Sequence, residues 1–329
     1  MNNFKDIKTG VIGVGSMGQN HARIYSEISN LVAVADPNEQ QGVAVAERFG
    51  VSWYKNYQDM LEEVDAVSIS VPTFLHREIA EKVAAARVHI LVEKPLAISV
   101  DDSKSIINSA EKNGITLAVG HVERHNPVVL SLENFLNNDK SGNILTLTAR
   151  RFSNYPHRIS DVGVLFDLTI HDVQIINSLV ASRPISVYAT GGKSKNESHE
   201  DFINLVINYK NGINGVCQTS WLTPMKIRDL SVTTDKNFIN VDFMNKKVEV
   251  MVSEYKDVDE SNLYETKIGF QSRFLDVPDI EPLKAELIDF LGSVNNGSTP
   301  LVSGDEGLNA VKIVQAGLES FNTNKVINL

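Results

Sequence analysis

The stretch Thr9-Gly10-Val11-Ile12-Gly13-Val14-Gly15-Ser16-Met17-Gly18 decides the fold. A β-rich run enters G-x-G-x-x-G directly, and a helical pattern follows to about Ser29. A glycine triplet alone is weak evidence, but here it lies between strand and helix. In that setting the first glycine permits a tight turn, the second lets backbone approach a pyrophosphate, and the third lets helix pack on strand. The helix N-terminus then faces the phosphates. A second apolar strand, Leu31–Ala35, ends in Asp36, which is 36 − 13 = 23 positions past the first glycine. An acid there can accept from the ribose hydroxyls of an adenosine and repels a 2′-phosphate. Pro37-Asn38 follows with no adjacent arginine, so the expected cofactor is NAD, held by Gly13, Gly15, Ser16, Met17, Gly18 and Asp36.

Outward from this stretch, strand and helix patterns alternate as far as Thr116–Gly120, the signature of a doubly wound parallel sheet. Ligands of such sheets bind beyond the carboxyl ends of the strands. Three further strand ends carry polar groups. Val71 is followed by Pro72, Thr73 and His76; Val92 by Glu93-Lys94-Pro95; and Gly120 by His121, Arg124 and Asn126. The first set, with Glu93 and Lys94, is expected at the cofactor. His121 and Arg124 are expected at a substrate.

After Asn126 the pattern changes to extended, β-branched segments separated by turns such as Lys210-Asn211-Gly212. This predicts a separate α+β domain with an open, mostly antiparallel sheet. The domains are expected at 1–124 and 125–329. Ser253–Lys267 is acidic and reads as a loop. One segment of this half, Asp161–Val180, reads as a helix apolar over most of its girth. At 100° per residue, Gly163, Asp167, His171, Gln174 and Ser178 share one polar stripe. Asp167 and His171 stand four residues apart, so carboxylate and imidazole can meet.

With 31 Lys and Arg against 41 Asp and Glu, the formal charge of −10 argues against a nucleic-acid-binding surface. Cys217 is the single cysteine, so no internal disulfide or cysteine-based metal site is expected, and no metal is required. No apolar run reaches the roughly 18 residues of a membrane span, and Met1–Lys8 is polar; the expected location is the cytoplasm.

Gly13-x-Gly15-x-x-Gly18, Glu93-Lys94-Pro95 and Gly163-x3-Asp167-x3-His171 together resemble the glucose-fructose oxidoreductase, inositol dehydrogenase and MocA (Gfo/Idh/MocA) family. The resemblance spans essentially the whole chain. It implies a Rossmann domain, a second domain whose open sheet serves in homodimer or homotetramer contacts, and a catalytic set of Lys94, Asp167 and His171. It also implies a cis peptide at Lys94–Pro95. Gly120–Pro127 and the run Arg150-Arg151-Phe152…Pro156-His157-Arg158…Asp161-Val162-Gly163-Val164 are similar to the UDP-N-acetylglucosamine 3-dehydrogenases within the family. That subgroup typically has H-D-I-D where this chain has Gln174 last, and phenylalanine where it has His125.

The implied reaction oxidises the sugar 3-hydroxyl to a ketone. His171 suits the base, because an imidazole titrates near neutrality and Asp167 can hold its tautomer. Lys94 would polarise the hydroxyl oxygen, or serve as the base itself. Neighbouring strand residues face opposite ways, so Arg150 and Arg151 cannot both enter one pocket. Arg151 and Arg158 are the expected partners of a substrate diphosphate. Another sugar or polyol, such as inositol or a UDP-hexosamine uronic acid, or a non-catalytic NAD-binding regulator, are the alternatives.

Overall fold

The computed structural model describes residues 4–156, 162–195, 198–255 and 268–329. The chain forms two compact units, one of Met1–His125 with Ile280–Gln315 and the other of Asn126–Asp279 with Ala316–Leu329.

In the first unit, strands β1 (Phe4–Ile12), β2 (Ser29–Ala35), β3 (Ser52–Tyr54), β4 (Ala66–Ile69), β5 (His89–Glu93) and β6 (Leu117–Gly120) form one sheet in the order β3-β2-β1-β4-β5-β6. Every pairing is parallel. This is the doubly wound order, and it reverses between β1 and β4, where a crevice opens at the strand ends. Helices α1 (Ser16–Ile28), α2 (Glu39–Phe49), α3 (His76–Ala85) and α4 (Val100–Asn113) connect the strands. Three of their boundaries are written in the sequence. Asn38 and Ser99 accept the amides of Gln41 and Asp102 at the starts of α2 and α4, and Gly50 ends α2 in the left-handed region.

The expected division at 124/125 is corrected by the C-terminal part of the chain. Residues 280–315, with helix α7 (Pro282–Asn296) and the start of α8 (Gly304–Thr323), belong to the first unit. The reason is apolar burial. Leu283, Leu287, Phe290 and Leu291 of α7 join Ile24 and Ile28 of α1 and Leu91 of β5 in one core cluster. Each such side chain withdrawn from water contributes roughly 1.5–3 kcal/mol.

The second unit begins with α5 (Pro127–Leu136) and β7 (Ile144–Phe152). After α6 (Ile170–Val180) come β8 (Pro184–Gly192), β9 (Phe202–Tyr209), β10 (Asn214–Ser220), β11 (Ile227–Thr234), β12 (Phe238–Asp242), β13 (Lys247–Tyr255) and β14 (Ile268–Phe274). With β15 (Ile327–Asn328) these make a nine-stranded sheet, β14-β13-β12-β11-β7-β10-β9-β8-β15. It is antiparallel except where β7 meets β10. β13 runs into the expected loop, whose residues 256–267 lie outside those described, and β14 was not expected. On β9, Ile203, Leu205 and Ile207 are buried while Asn204 and Asn208 are exposed. Elsewhere on the sheet Leu145, Ile185, Phe238, Val252, Phe270 and Phe274 are exposed apolar side chains. No helix among the described residues is long and apolar enough to cross a membrane.

α7 also carries a charge-bearing group inward. Glu286 is 2% exposed, and its carboxyl oxygens have no hydrogen-bond partner among the described residues. A carboxyl oxygen of Glu286, one of Glu93 and a ring nitrogen of His21 lie within 4.8 Å of one another. Burial, and next the charge of Glu93, raise Glu286 well above its ordinary 4.5. The folded chain thus keeps a proton that the unfolded chain gives up, so this group's contribution to stability is complete below pH 4.5 and lost as pH rises. Glu286→Gln cannot ionise, so its stability should hold where the wild type declines from pH 5 to 8. The gap should grow by up to about 1.4 kcal/mol per pH unit. Urea midpoints across that range test this, and parallel profiles for the two proteins refute it.

Candidate active site

The glycine loop has the form that a pyrophosphate requires. Gly13 sits at φ 83°, and a Cβ there would lie 2.5 Å from the Ser70 carbonyl oxygen. At Gly15 nothing lies within 4 Å of where a Cβ would stand. The backbone is closed against the protein at the first position and open at the second, so the loop fits a dinucleotide. A cleft of about 570 Å³ adjoins it, lined by Gly13, Gly15, Asp36, Val71 and Pro72 among others. Asp36 accepts from the backbone amides of Val14 at 2.9 Å and Asn38 at 2.9 Å. A carboxylate has about four lone-pair sites, so two remain for ribose hydroxyls. Ser16 and Met17 open α1, and Thr73 opens the short turn before α3. Lys55 lines the same cleft and was missed, because it stands in a connection with no motif around it.

One expected cofactor contact, His76, is corrected. His76 is 1% exposed, and its ring nitrogens lie 2.9 Å from the Pro95 carbonyl and 3.0 Å from that of Val71. Glu93 is 8% exposed and is held by His21 Nε2 at 2.8 Å. His76 turns both ring nitrogens toward the protein, whereas Glu93, like Asp36, accepts two bonds and keeps two of its roughly four lone-pair sites. Lys94 itself is half-buried, and the Lys94–Pro95 peptide is cis, as the resemblance implied. His121 is buried beyond β6, where burial, the Lys94 charge and His125 bring its pKa down to about 3. Its imidazole is therefore neutral in the working range. Arg124 is also buried, within the field of Glu306 and Asp289.

In the second unit the expected single helix is two segments. Leu165–Thr169 is π-helical and runs directly into α6. Such π segments often occur at functional sites. Gly163 lets the chain enter, since a Cβ there would lie 2.1 Å from Glu200 Oε1, which instead accepts the Leu165 amide at 3.0 Å. Asp167 lies in the π segment and His171 in the first turn of α6, both half-buried. Gln174, expected on the same stripe, is 1% exposed, with both amide atoms unpartnered among the described residues.

The expected diphosphate role of Arg151 is corrected. Arg151 points inward, 2% exposed, and donates to Asp172 through Nη2 at 2.8 Å and Nε at 3.0 Å. Asp172 escaped the sequence reading because its partner stands 21 positions away. Arg150 faces outward to Asp229, as strand alternation requires. Arg158 lies outside the described residues. A separate cleft of about 370 Å³ in this unit is lined by Asn154, Tyr155, Lys195 and Trp221.

Comparison with known proteins gives this geometry its setting. The description "Oxidoreductase family, NAD-binding Rossmann fold" matches residues 7–121, and "GFO/IDH/MocA C-terminal domain" matches 129–239. The chain belongs to the Gfo/Idh/MocA family. It is an NAD-binding oxidoreductase, and its first unit is the NAD-binding Rossmann domain. It is 28% identical to the UDP-N-acetylglucosamine 3-dehydrogenase of Acidithiobacillus ferrooxidans, over 96% of this chain and 98% of that protein. A solved structure of that dehydrogenase superimposes with a TM-score of 0.87 at 27% identity, covering 96% and 98% of the two chains. The myo-inositol 2-dehydrogenase of Thermotoga maritima is 26% identical over 98% of each chain.

Two outcomes follow. NAD⁺ should bind at least ~10-fold tighter than NADP⁺, a difference of about 1.4 kcal/mol. Asp36→Ala should narrow that ratio and Lys55→Ala widen it. Fluorescence titration with both cofactors checks this, and a ratio indifferent to Asp36 would contradict the assignment. Arg151→Ala strands a buried Asp172 and should cost about 3–5 kcal/mol of stability, whereas Arg150→Ala, at a half-exposed pair, should cost about 1 kcal/mol or less. Urea unfolding of both variants distinguishes a structural Arg151 from an open phosphate ligand.

Proposed function

We propose that this oxidoreductase, acting in the cytoplasm, oxidises the 3-hydroxyl of UDP-N-acetylglucosamine to the 3-keto sugar. What carries the reading is likeness along nearly the whole chain to a dehydrogenase of that specificity, joined to an Asp167–His171 pair on one helical rod. The residues of the glycine loop and Asp36 would hold the cofactor. The nicotinamide ring of NAD⁺ supplies the hydride acceptor. His171 takes the hydroxyl proton as general base, and Asp167 orients the imidazole and stabilises its charged form. Lys94 donates to the hydroxyl oxygen, where negative charge develops as the proton leaves. The alcohol loses one proton and one hydride, giving ketone, NADH and a proton. His121, neutral and adjacent in charge to Lys94, would donate to or accept from the sugar. Arg158 and Lys195 are the proposed partners of the diphosphate. The enzyme would work as a homodimer or homotetramer.

One observation favours a second reading, in which the substrate is a polyol or a free sugar. Arg151 is occupied by Asp172, so one of the two arginines expected for a diphosphate is unavailable. Incubation with NAD⁺, a carbonyl trap, and a panel of UDP-sugars, free hexoses and myo-inositol decides between the two, because only the true substrate yields a trapped ketone two hydrogens lighter. Turnover of UDP-N-acetylglucosamine should fall by two or more orders of magnitude in His171→Ala and in Lys94→Ala with NAD⁺ affinity nearly unchanged. If myo-inositol or a hexose outpaces every UDP-sugar, the nucleotide-sugar assignment is wrong.

A further inference from the structure

Lys94 is flanked on both sides by residues that buried histidines hold. On the N-terminal side, Glu93 receives His21 Nε2 of α1 at 2.8 Å through Oε1, and its Oε2 accepts the Lys94 amide at 3.2 Å. The other ring nitrogen of His21, Nδ1, lies 2.8 Å from Ser68 Oγ of β4, which lies 2.7 Å from the Tyr25 hydroxyl. Burial raises the Tyr25 phenol, so it keeps its proton. One chain of donors satisfies every atom: Tyr25 to Ser68, Ser68 to Nδ1, and Nε2–H to Glu93. On the C-terminal side, His76 of α3 lies between two carbonyls, with Nδ1 2.9 Å from that of Pro95 and Nε2 3.0 Å from that of Val71, a wall of the cofactor cleft; burial lowers the pKa of this imidazole, and the neutral ring donates to one of the two. The two imidazoles are 0% and 1% exposed, so neither can touch a substrate.

We propose that His21 and His76 are positioning residues for Lys94, fixing the peptide on either side of it and setting it in register with the cofactor loop. The inference rests on the reading of Lys94 as the residue that acts on the hydroxyl oxygen. The physical reason lies in the side chain. A lysine is a point charge on a flexible four-carbon stem, and a reactive constellation must be held within about 0.5 Å of its productive geometry. The stem cannot provide that, so the backbone from which it springs has to. Glu93 at the end of β5 is anchored to α1, and the buried His76 ring spaces Pro95 from the loop after β4, with one nitrogen facing each. These are the same two elements that flank the glycine loop. Gly120 belongs to the arrangement, because a Cβ there would lie 3.1 Å from the Glu93 carboxyl carbon.

The test uses His21→Gln, His76→Gln and Lys94→Ala, singly and combined, in the full-length protein with NAD⁺ and UDP-N-acetylglucosamine. Each histidine variant should lower kcat ~10- to 100-fold, the penalty for a displacement of about 1 Å, with KM for NAD⁺ changed less than ~3-fold. In the Lys94→Ala background the same changes should add less than ~2-fold, because residues acting through one group are not additive. A second readout needs no substrate. Competitive acetylation of the NAD⁺-bound protein with acetic anhydride, read by mass spectrometry, should show Lys94 reactivity altered at least ~3-fold in each histidine variant. The exposed Lys210 and Lys236 should be unaffected. Additive losses in the double variants, or Lys94 labelling indistinguishable from wild type, overturn the inference and leave the reading of Lys94 intact. Full activity in Lys94→Ala instead overturns that reading. If UDP-N-acetylglucosamine is not turned over, the labelling result decides alone.

Discussion

A parallel sheet cannot leave either face in water, and in this protein that constraint reaches across the whole chain. The strands of the first unit read as near-continuous apolar runs, as strands covered on both faces do. Val11, Val34, Val67, Ile90, Leu91 and Val92 are all at most 1% exposed. Part of that cover comes from α7, which begins more than 150 residues after the last strand of the sheet. The chain therefore returns to its first unit after building the second. The returning helix also brings Glu286 to the underside of the Glu93 strand end. Covering the sheet and completing the polar cluster beneath Lys94 are one packing event.

Two buried charged pairs follow a common rule. A charge or amide taken from water is costly unless it is paired, and an unpaired one costs roughly 1–3 kcal/mol or more. Arg151 with Asp172, and His21 with Glu93, meet that requirement with bonds of 2.8–3.1 Å. Each pair tethers an element that carries a proposed reactive residue. Asp172 follows His171 directly, and Glu93 precedes Lys94. The same low-dielectric surroundings bring His121 down to about 3 and raise Cys217, whose thiol stays inert within the sheet.

The histidines differ in role because their surroundings differ. His121 lies beside the Lys94 charge and stays neutral. His21 and His76 use both ring nitrogens on the protein. His171 is half-buried on a helix interrupted by a π segment. Residue type alone does not separate a base from a brace.

Local chemistry was enough to read much of this molecule. The glycine loop, Asp36 at the end of β2, the alternation that makes a parallel sheet, and the strands at Ile144–Phe152, Phe202–Tyr209 and Ile227–Thr234 all follow from patterns within a few residues. Strand alternation likewise put Arg150 and Arg151 on opposite faces. Arg151 shares the buried face of β7 with Leu147 and Ala149, and its partner there is Asp172, 21 residues away, so the guanidinium expected at a phosphate is an internal ion pair. The same limit explains His76, read as a cofactor contact from its place beyond a strand end. Its ring lies 2.9 Å from the carbonyl of Pro95, 19 residues on, which the fold brings to it. It also explains the boundary, since nothing in residues 280–315 states which core their apolar face will join. Sequence periodicity determined which side chains would be inside. Only the tertiary structure decided what each buried polar group would find there, because a hydrogen bond requires a partner within about 3 Å and distance in the fold is set by packing.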